Sequence, residues 1–357
     1  MPMPGDDWET KITKVVPDRL LISGYPLRDL VERKTLLDAA HLLVAGDLPD
    51  ARNREILRKE ALQAVMLPSP QVERNPKEDI SKSLAKCILL DDALASSPDR
   101  PTKRTAFALG RMARYLAKLN GTEGALEGLK GEEDFSEVLF RVFTGKTEVN
   151  PAKARLIEAM VTACVDHGVT PPSAQATIIA SSVRASYEVC ISHGVGVITD
   201  VHGGAGAKAA SFFIECTLSR RSLKDFVEDY IKQKKRIPGL GHRIHNNDPR
   251  RDVLWQLAKE AGAAGNMVEM SREITGIFTA ATGKDLPINV DGVIGAIVAD
   301  LGLDVSAAKS IFIIGRVAGL SAHHYEEQTR PPMRQIDFSK AVYKGPAERQ
   351  VPGGALP

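Results

Sequence analysis

From Thr35 to Ala322, apolar residues return at helical spacing in one segment after another, and hardly any stretch alternates as a strand would. That period constrains the fold more than any single residue, because a chain patterned for helices does not settle as sheet. Leu36, Leu37, Ala40, Leu43 and Val44 share one face; Thr35 with Asp38 forms a start signal and Gly46 a stop. The same spacing predicts helices from Asn53 to Met66, Ile80 to Ala95, Thr105 to Leu119, basic on one side through Arg104, Arg111, Arg114 and Lys118, and Ala152 to Val165, while Ser136 to Thr144 is short and apolar. The spacing continues from Ser173 to Ile191, Ala205 to Thr217, Leu223 to Lys234, Arg251 to Ala261, Met267 to Thr282, Val293 to Leu301 and Ala307 to Ala322. Pro151 suits the first turn of its helix. Only Trp8 to Ile22, with a turn at Asp18-Arg19, reads as a short hairpin, and Gly121 to Glu133 reads as a loop. The predicted class is all-α.

With 43% hydrophobic but only 5% aromatic residues, the core must be built from Ala, Leu, Ile and Val. A chain of 357 residues is long for one core and predicts one large or two unequal domains. The formal charge of +2 gives no general argument for nucleic acid or membrane. Cys87, Cys164, Cys190 and Cys216 form no Cys-x-x-Cys pair, so neither a zinc site nor a disulfide framework is expected. Met1 to Lys14 is polar and acidic without an apolar signal core, and no apolar run reaches the ~18 residues of a membrane span. A cytoplasmic protein is the expectation.

Four stretches place a histidine or aspartate beside Gly or Pro, outside the strongest helical pattern. Asp166-His167-Gly168 follows a hydrophobic helix, and Asp200-Val201-His202-Gly203-Gly204 precedes one. A histidine near a helix N-terminus tends to stay neutral, which suits donation to a carbonyl. In Ile237-Pro238-Gly239-Leu240-Gly241-His242, glycines allow close approach of a ligand to backbone. His242 can donate to an oxygen that gains negative charge. The following Asp248-Pro249-Arg250 presents a guanidinium that can grip a carboxylate with two parallel bonds. Asn289-Val290-Asp291-Gly292 puts a carboxylate between an apolar run and a glycine, where partial desolvation would make it a usable base. Taken singly, each is an ordinary turn or cap; their co-occurrence and order carry the argument.

His202-Gly-Gly-Ala, Pro238-Gly-Leu-Gly-His-Arg with Asp248-Pro-Arg, Asn289-Val-Asp-Gly, Gly315-Arg-Val-Ala-Gly and Arg330-Pro together resemble the citrate synthase superfamily. Ile22-Ser-Gly-Tyr-Pro-Leu resembles the family's opening motif, so the resemblance runs from about Trp8 to Tyr343. It implies that His202 polarises an acetyl-CoA thioester, His242 bonds the oxaloacetate carbonyl and Asp291 moves the methyl proton. It implies carboxylate binding by His167, Arg250, Arg316 and Arg330, the last supplied by the partner subunit of a homodimer. The backbone of Ile237, Pro238, Gly239, Leu240 and Gly241 would hold the CoA adenine. A CoA thioester is a substrate here, and the chemistry needs no metal or bound cofactor.

The resemblance also implies a large domain of residues 1–203 and 300–357 and a small one of 204–299. Hinges are expected near Gly203-Gly204 and Leu301-Gly302, closing over substrate. Two Ala- and Ser-rich helices, Ser173 to Ile191 and Ala205 to Thr217, carry few polar positions and are expected at the dimer interface. After the aspartate, Gly292-Val-Ile-Gly resembles citryl-CoA lyases and the C-terminal part of ATP-citrate lyases rather than citrate synthases, which carry bulkier residues there. No stretch resembles ATP-grasp or CoA-ligase regions, so the expected substrate is preformed citryl-CoA or one delivered by a partner. Alternatives are a citrate synthase, an enzyme of the fold using another 2-oxo acid or acyl-CoA, and a non-catalytic binding protein; retention of His202, His242 and Asp291 argues against the last.

Overall fold

The computed structural model describes residues 8–75, 77–241, 244–334 and 344. The hairpin is present and gains a third short strand: β1 (Thr13–Val16), β2 (Arg19–Ile22) and β3 (Tyr25–Pro26) form an antiparallel sheet in that order. Val16 pairs with Arg19, so Pro17-Asp18 is a two-residue turn. Asp18 takes φ 58°, a left-handed conformation that Asp tolerates better than most residues. Ile12, Leu20 and Ile22 turn inward and anchor the hairpin on the core.

Sixteen α-helices follow among the described residues. The first eight are α1 (Leu27–Arg33), α2 (Leu36–Ala45), α3 (Ala51–Met66), α4 (Ile80–Leu89), α5 (Asp92–Ala95), α6 (Pro101–Asn120), α7 (Phe135–Thr144) and α8 (Pro151–Thr162). The rest are α9 (Pro172–Ser182), α10 (Tyr187–Gly196), α11 (Ala205–Leu218), α12 (Leu223–Lys232), α13 (Arg251–Glu260), α14 (Asn266–Thr282), α15 (Val290–Asp300) and α16 (Ala307–Gln328). Thr35 and Asp38 make the expected reciprocal cap of α2, and Gly46 closes it in the left-handed region.

Three boundaries differ from the sequence expectation. The segment from Ser173 to Ile191 is two helices, broken after Ser182, with Arg184 at φ 62°. No Gly or Pro marks this turn, and the small apolar residues on both sides keep the helical period running through it. Asp91 similarly ends the run begun at Ile80, by capping α5. Helix α15 starts at Val290, capped by Asn289, so Asp291 lies inside the first turn rather than before it. Arg111 also departs from expectation. It is fully buried on α6 rather than part of a basic surface, paired with Asp91 at 2.6 Å and donating to the carbonyls of Ala64, Leu67 and Pro68.

Helix α16 is buried almost all round and touches α2, α6, α8, α9, α10, α11 and α15. Its glycines allow this. A Cβ at Gly315 would lie 2.3 Å from the Val161 carbonyl oxygen, and one at Gly319 would lie 2.5 Å from an Asp166 carboxylate oxygen. Helices α11 to α15 pack largely on one another, α11 against α15 most closely. There a Cβ at Gly295 would meet the Gly206 carbonyl oxygen at 2.4 Å. The small residues of α11, expected at a dimer interface, are therefore used inside the chain against α15. No helix among the described residues is long and apolar enough to cross a membrane.

Candidate active site

The glycine turn and the start of α15 are joined backbone to backbone. The Asn289 amide donates to the Gly239 carbonyl at 2.9 Å, the Gly241 amide to the Pro287 carbonyl at 2.7 Å, and the Asn289 side-chain amide to the Gly241 carbonyl at 2.8 Å. Gly239, at φ 82°, lies so close to Gly292 that a Cβ would sit 2.5 Å from the Gly292 Cα. Glycine at both positions is what allows this contact. The stretch from Ile237 to Gly241 thus rides on the same unit as Asp291. His242 lies outside the described residues.

Asp291 keeps an opening to the surface, but its surroundings are largely dry. Burial pushes its carboxyl above the usual carboxylate range; Arg250 pulls it back, Asp248 adds to the rise, and Arg316 opposes it. Four groups from three distant parts of the sequence therefore share one electrostatic neighbourhood. Cys164 is in it too: burial and the Asp291 charge push its thiol up to about 12, so it stays protonated.

Arg250 caps the start of α13 and is buried. Its Nε and Nη2 donate to the two carboxylate oxygens of Asp248 at 2.9 and 2.8 Å, and Nη1 donates to the Ala163 carbonyl at 3.1 Å. The two-pronged grip expected for a substrate carboxylate is thus made by Asp248 instead. These bonds use three of the five N–H groups of a guanidinium and leave two for a ligand. Asp248 also accepts from the Val290 amide at 3.0 Å, which ties Arg250 to the helix that carries Asp291.

Arg316 differs. It is 2% exposed, and among the described residues no carboxylate lies within ion-pair distance of it. Its Nε donates to the Cys164 carbonyl at 3.1 Å, its Nη1 approaches Ser173 Oγ at 3.5 Å, and its guanidinium lies 4.6 Å from the centre of the Phe312 ring. A buried cation without an anion partner is costly, and it marks a place where a ligand anion would be welcome.

Ser173 continues the chain of contacts to His202. His202 Nε2 lies 2.9 Å from Ser173 Oγ and accepts from the Ser173 amide at 3.4 Å. If Nε2 accepts from Ser173, the neutral imidazole carries its proton on Nδ1. The ring is also held edge-on by Phe312, 5.7 Å between centroids.

His167 packs edge-on against His245, 5.6 Å between ring centroids. The preceding Asp166 is fully buried, accepts from the Gly168 amide at 2.8 Å and pairs with His323 Nε2 at 3.1 Å. Burial alone would raise the Asp166 pKa, but the charge and hydrogen bond of His323, with Arg316 beyond, hold it far below the usual range. Arg330 does not join this cluster within its own chain. It lies beyond the end of α16, about 21 Å along the helix axis from Arg316, with its guanidinium on Glu326 and the Glu9 carbonyl. Asp248, Ser173, His245, Asp166 and His323 were not picked out as site residues by the sequence. Of these only Asp166 and Asp248 had a signal, in the turns Asp-His-Gly and Asp-Pro-Arg.

Beside the cluster, a cleft of about 420 Å³ is lined by Asp200, Lys208, Ser211, Tyr230 and Pro238, among others. It meets the glycine turn at Pro238 and the His202 loop at Asp200 and Gly204.

Residues 7–335 match the family described as citrate synthase, C-terminal domain. Among curated proteins, citrate synthase 2 of Bacillus subtilis is 22% identical, the alignment covering 96% of this chain and 94% of that one. Citrate synthase of Dictyostelium discoideum is 23% identical over 94% of this chain and 72% of that protein. Among solved structures, citryl-CoA lyase from Hydrogenobacter thermophilus is 27% identical with a TM-score of 0.52, covering 97% of each chain. Citrate synthase from Thermotoga maritima superposes with a TM-score of 0.80 at 20% identity, over 97% of this chain and 96% of that one. At that identity the likeness shows the fold alone. The matched span takes in every residue of the cluster, and the chain belongs to the citrate synthase family.

Proposed function

We propose that this protein cleaves citryl-CoA to acetyl-CoA and oxaloacetate. The observation that carries the reading is the convergence of Asp291, Arg250 and Arg316 in one dry neighbourhood, with His202 linked to it through Ser173. A carboxyl raised above its usual range binds a proton more readily than a free one, which suits a group that takes a proton from carbon and returns it, and two buried guanidiniums suit a substrate with several carboxylates. In the cleavage direction, the citryl hydroxyl proton passes to His242, placed at that oxygen by its motif, and the ketone re-forms as the carbon–carbon bond breaks. The electron pair moves onto the thioester as an enolate, whose oxygen accepts from His202 Nδ1–H. Protonated Asp291 then delivers its proton to the methylene carbon, giving acetyl-CoA. The CoA moiety is assigned to the Ile237–Gly241 turn and the adjoining cleft.

The glycines that favour a lyase over a synthase, Gly292 and Gly295, are also required by packing against Gly239 and Gly206. The motif therefore reports how α15 is seated as well as which reaction it serves. The second reading, citrate synthesis, is favoured by the curated relatives, named citrate synthases at 22–25% identity. Purified protein incubated with citryl-CoA should yield acetyl-CoA and oxaloacetate, followed by chromatography. Rapid formation of citrate and free thiol from acetyl-CoA plus oxaloacetate would overturn the lyase reading in favour of the synthase.

We further propose that α11 to α15 form a small domain closing on the rest of the chain, and that the functional unit is a homodimer. Exposed Ile179 and Val183, at the end of α9, offer an apolar surface for a second copy. In such a dimer Arg330 would complete the partner's site. Sedimentation at micromolar concentration should give a dimer; a fully active monomer would remove both the interface and the role of Arg330.

A further inference from the structure

The hairpin β1–β2 lies against both halves of the acid pocket. On one side, a Cβ at Gly168 would meet Val15 Cγ2 at 3.3 Å, so β1 packs directly beside His167. On the other, the hairpin turn bonds the segment that leads to Arg250. The Asp18 amide donates to His245 Nδ1 at 3.0 Å, and the Asn247 amide donates to Asp18 Oδ1 at 2.7 Å. These bonds join residues 227 and 229 positions apart. His245 is 2% exposed and presses edge-on against His167. Three residues on, Asp248 holds Arg250 by both carboxylate oxygens.

We infer that Asp18 and His245 form a clasp between the hairpin and the 245–250 segment, and that His245 is a positioning residue that sets His167 and Arg250 for the acid half of the substrate. The inference rests on the reading of this pocket as the acid site. The hairpin is a fixed post, because its inward residues are buried in the core. The imidazole does two jobs from one ring: Nδ1 accepts from the post, and the ring edge braces His167. Burial, with Arg250 in the same sense and Asp248 and Asp18 opposing, lowers the His245 pKa, which keeps Nδ1 available as an acceptor. If 245–250 moves with the small domain, the clasp is a point at which closure is registered at the acid pocket.

The test uses the full chain, calorimetric binding of oxaloacetate and of CoA measured separately, and amide exchange at Asp18. His245→Phe keeps a ring against His167 but has no acceptor. Asp18→Gly keeps the turn conformation and its amide but loses the carboxylate, and Asp18 is exposed, so this variant should fold. His245→Asn restores an acceptor close to the Nδ1 position. His245→Phe and Asp18→Gly should each weaken oxaloacetate binding about tenfold while CoA binding stays unchanged, the size expected for one lost hydrogen bond. His245→Asn should recover some of the loss, and Asp18 amide exchange should quicken in His245→Phe. Unchanged oxaloacetate affinity, or equal weakening of oxaloacetate and CoA, would overturn the clasp. Wild-type turnover of citryl-CoA is measured alongside. Its absence would count against the proposed reaction, whereas the variant-to-wild-type ratios and the Asp18 exchange rate speak only to the clasp.

Discussion

Asn in place of Asp291 is expected to cut turnover by roughly 10²–10⁴-fold, the range over which a positioned acid–base group contributes, while CoA still binds. The substitution keeps the shape of the side chain but cannot carry the transferred proton. Microscopic reversibility requires the same loss for citryl-CoA cleavage and for its formation from acetyl-CoA and oxaloacetate. Full activity in either direction would remove Asp291 from the mechanism. A second readout follows from electrostatics. The folded-state pKa of Asp291 is raised by burial, so the folded protein holds the proton more tightly than the unfolded chain. Its contribution to stability is then full below the ordinary aspartate value of 3.8 and is lost as pH rises through the folded pKa. Above that ordinary value, keeping or losing this proton costs the fold something that a neutral side chain would not. Asp291→Asn should therefore melt higher than wild type at pH 7, and the difference should vanish as pH falls toward the ordinary aspartate range. A variant that is both inactive and less stable at pH 7 would point to a structural role instead.

Arg316→Leu should weaken binding of the di- or tricarboxylate by roughly 2–5 kcal/mol, the cost of leaving a buried ligand charge without its partner. In Kd this is roughly thirty- to several-thousand-fold, and CoA binding should hardly change. The apo protein should tolerate much of the exchange, because among the described residues no carboxylate lies within ion-pair distance of this buried cation; against that, Asp166 loses a nearby positive charge. The Cys164 carbonyl loses a donor in return. Calorimetric titration with oxaloacetate and with CoA separates the two effects, and thermal unfolding reads the third. Equal weakening for both ligands would make Arg316 a structural residue.

Much of the helical frame was legible because its signals are local. Thr35 and Asp38 cap each other three residues apart, and Pro151 opens α8 where a missing amide costs nothing. The break after Ser182 was not legible, because small apolar residues fit either a continuous helix or two abutting ones. Within the site, Asp291, His202 and Arg250 stood out because Gly or Pro sits beside them, and Arg316 only through the resemblance of Gly315-Arg-Val-Ala-Gly to a family motif. Their partners did not. Ser173 meets His202 across 29 residues, His323 meets Asp166 across 157, and His245 meets Asp18 across 227. No local pattern encodes such pairings. Arg111 shows the same limit: helical spacing placed it on a basic face, and a carboxylate from another helix brought it inside.

Ser173 Oγ has consequences for how the two ligands sense each other. One hydroxyl stands between Arg316, where an acid would sit, and His202, where a thioester would. It has a single proton, and the His202 ring takes it. An anion that draws the Arg316 guanidinium toward itself weakens that guanidinium's hold on Ser173 Oγ and changes how firmly the hydroxyl bonds the imidazole. An acid and a CoA ester bound as proposed would then be thermodynamically linked through one oxygen atom. Whatever factor the acid imposes on ester affinity, the ester must impose on acid affinity. Ser173→Ala would remove this route of coupling, and the factor by which the acid changes ester affinity should shrink.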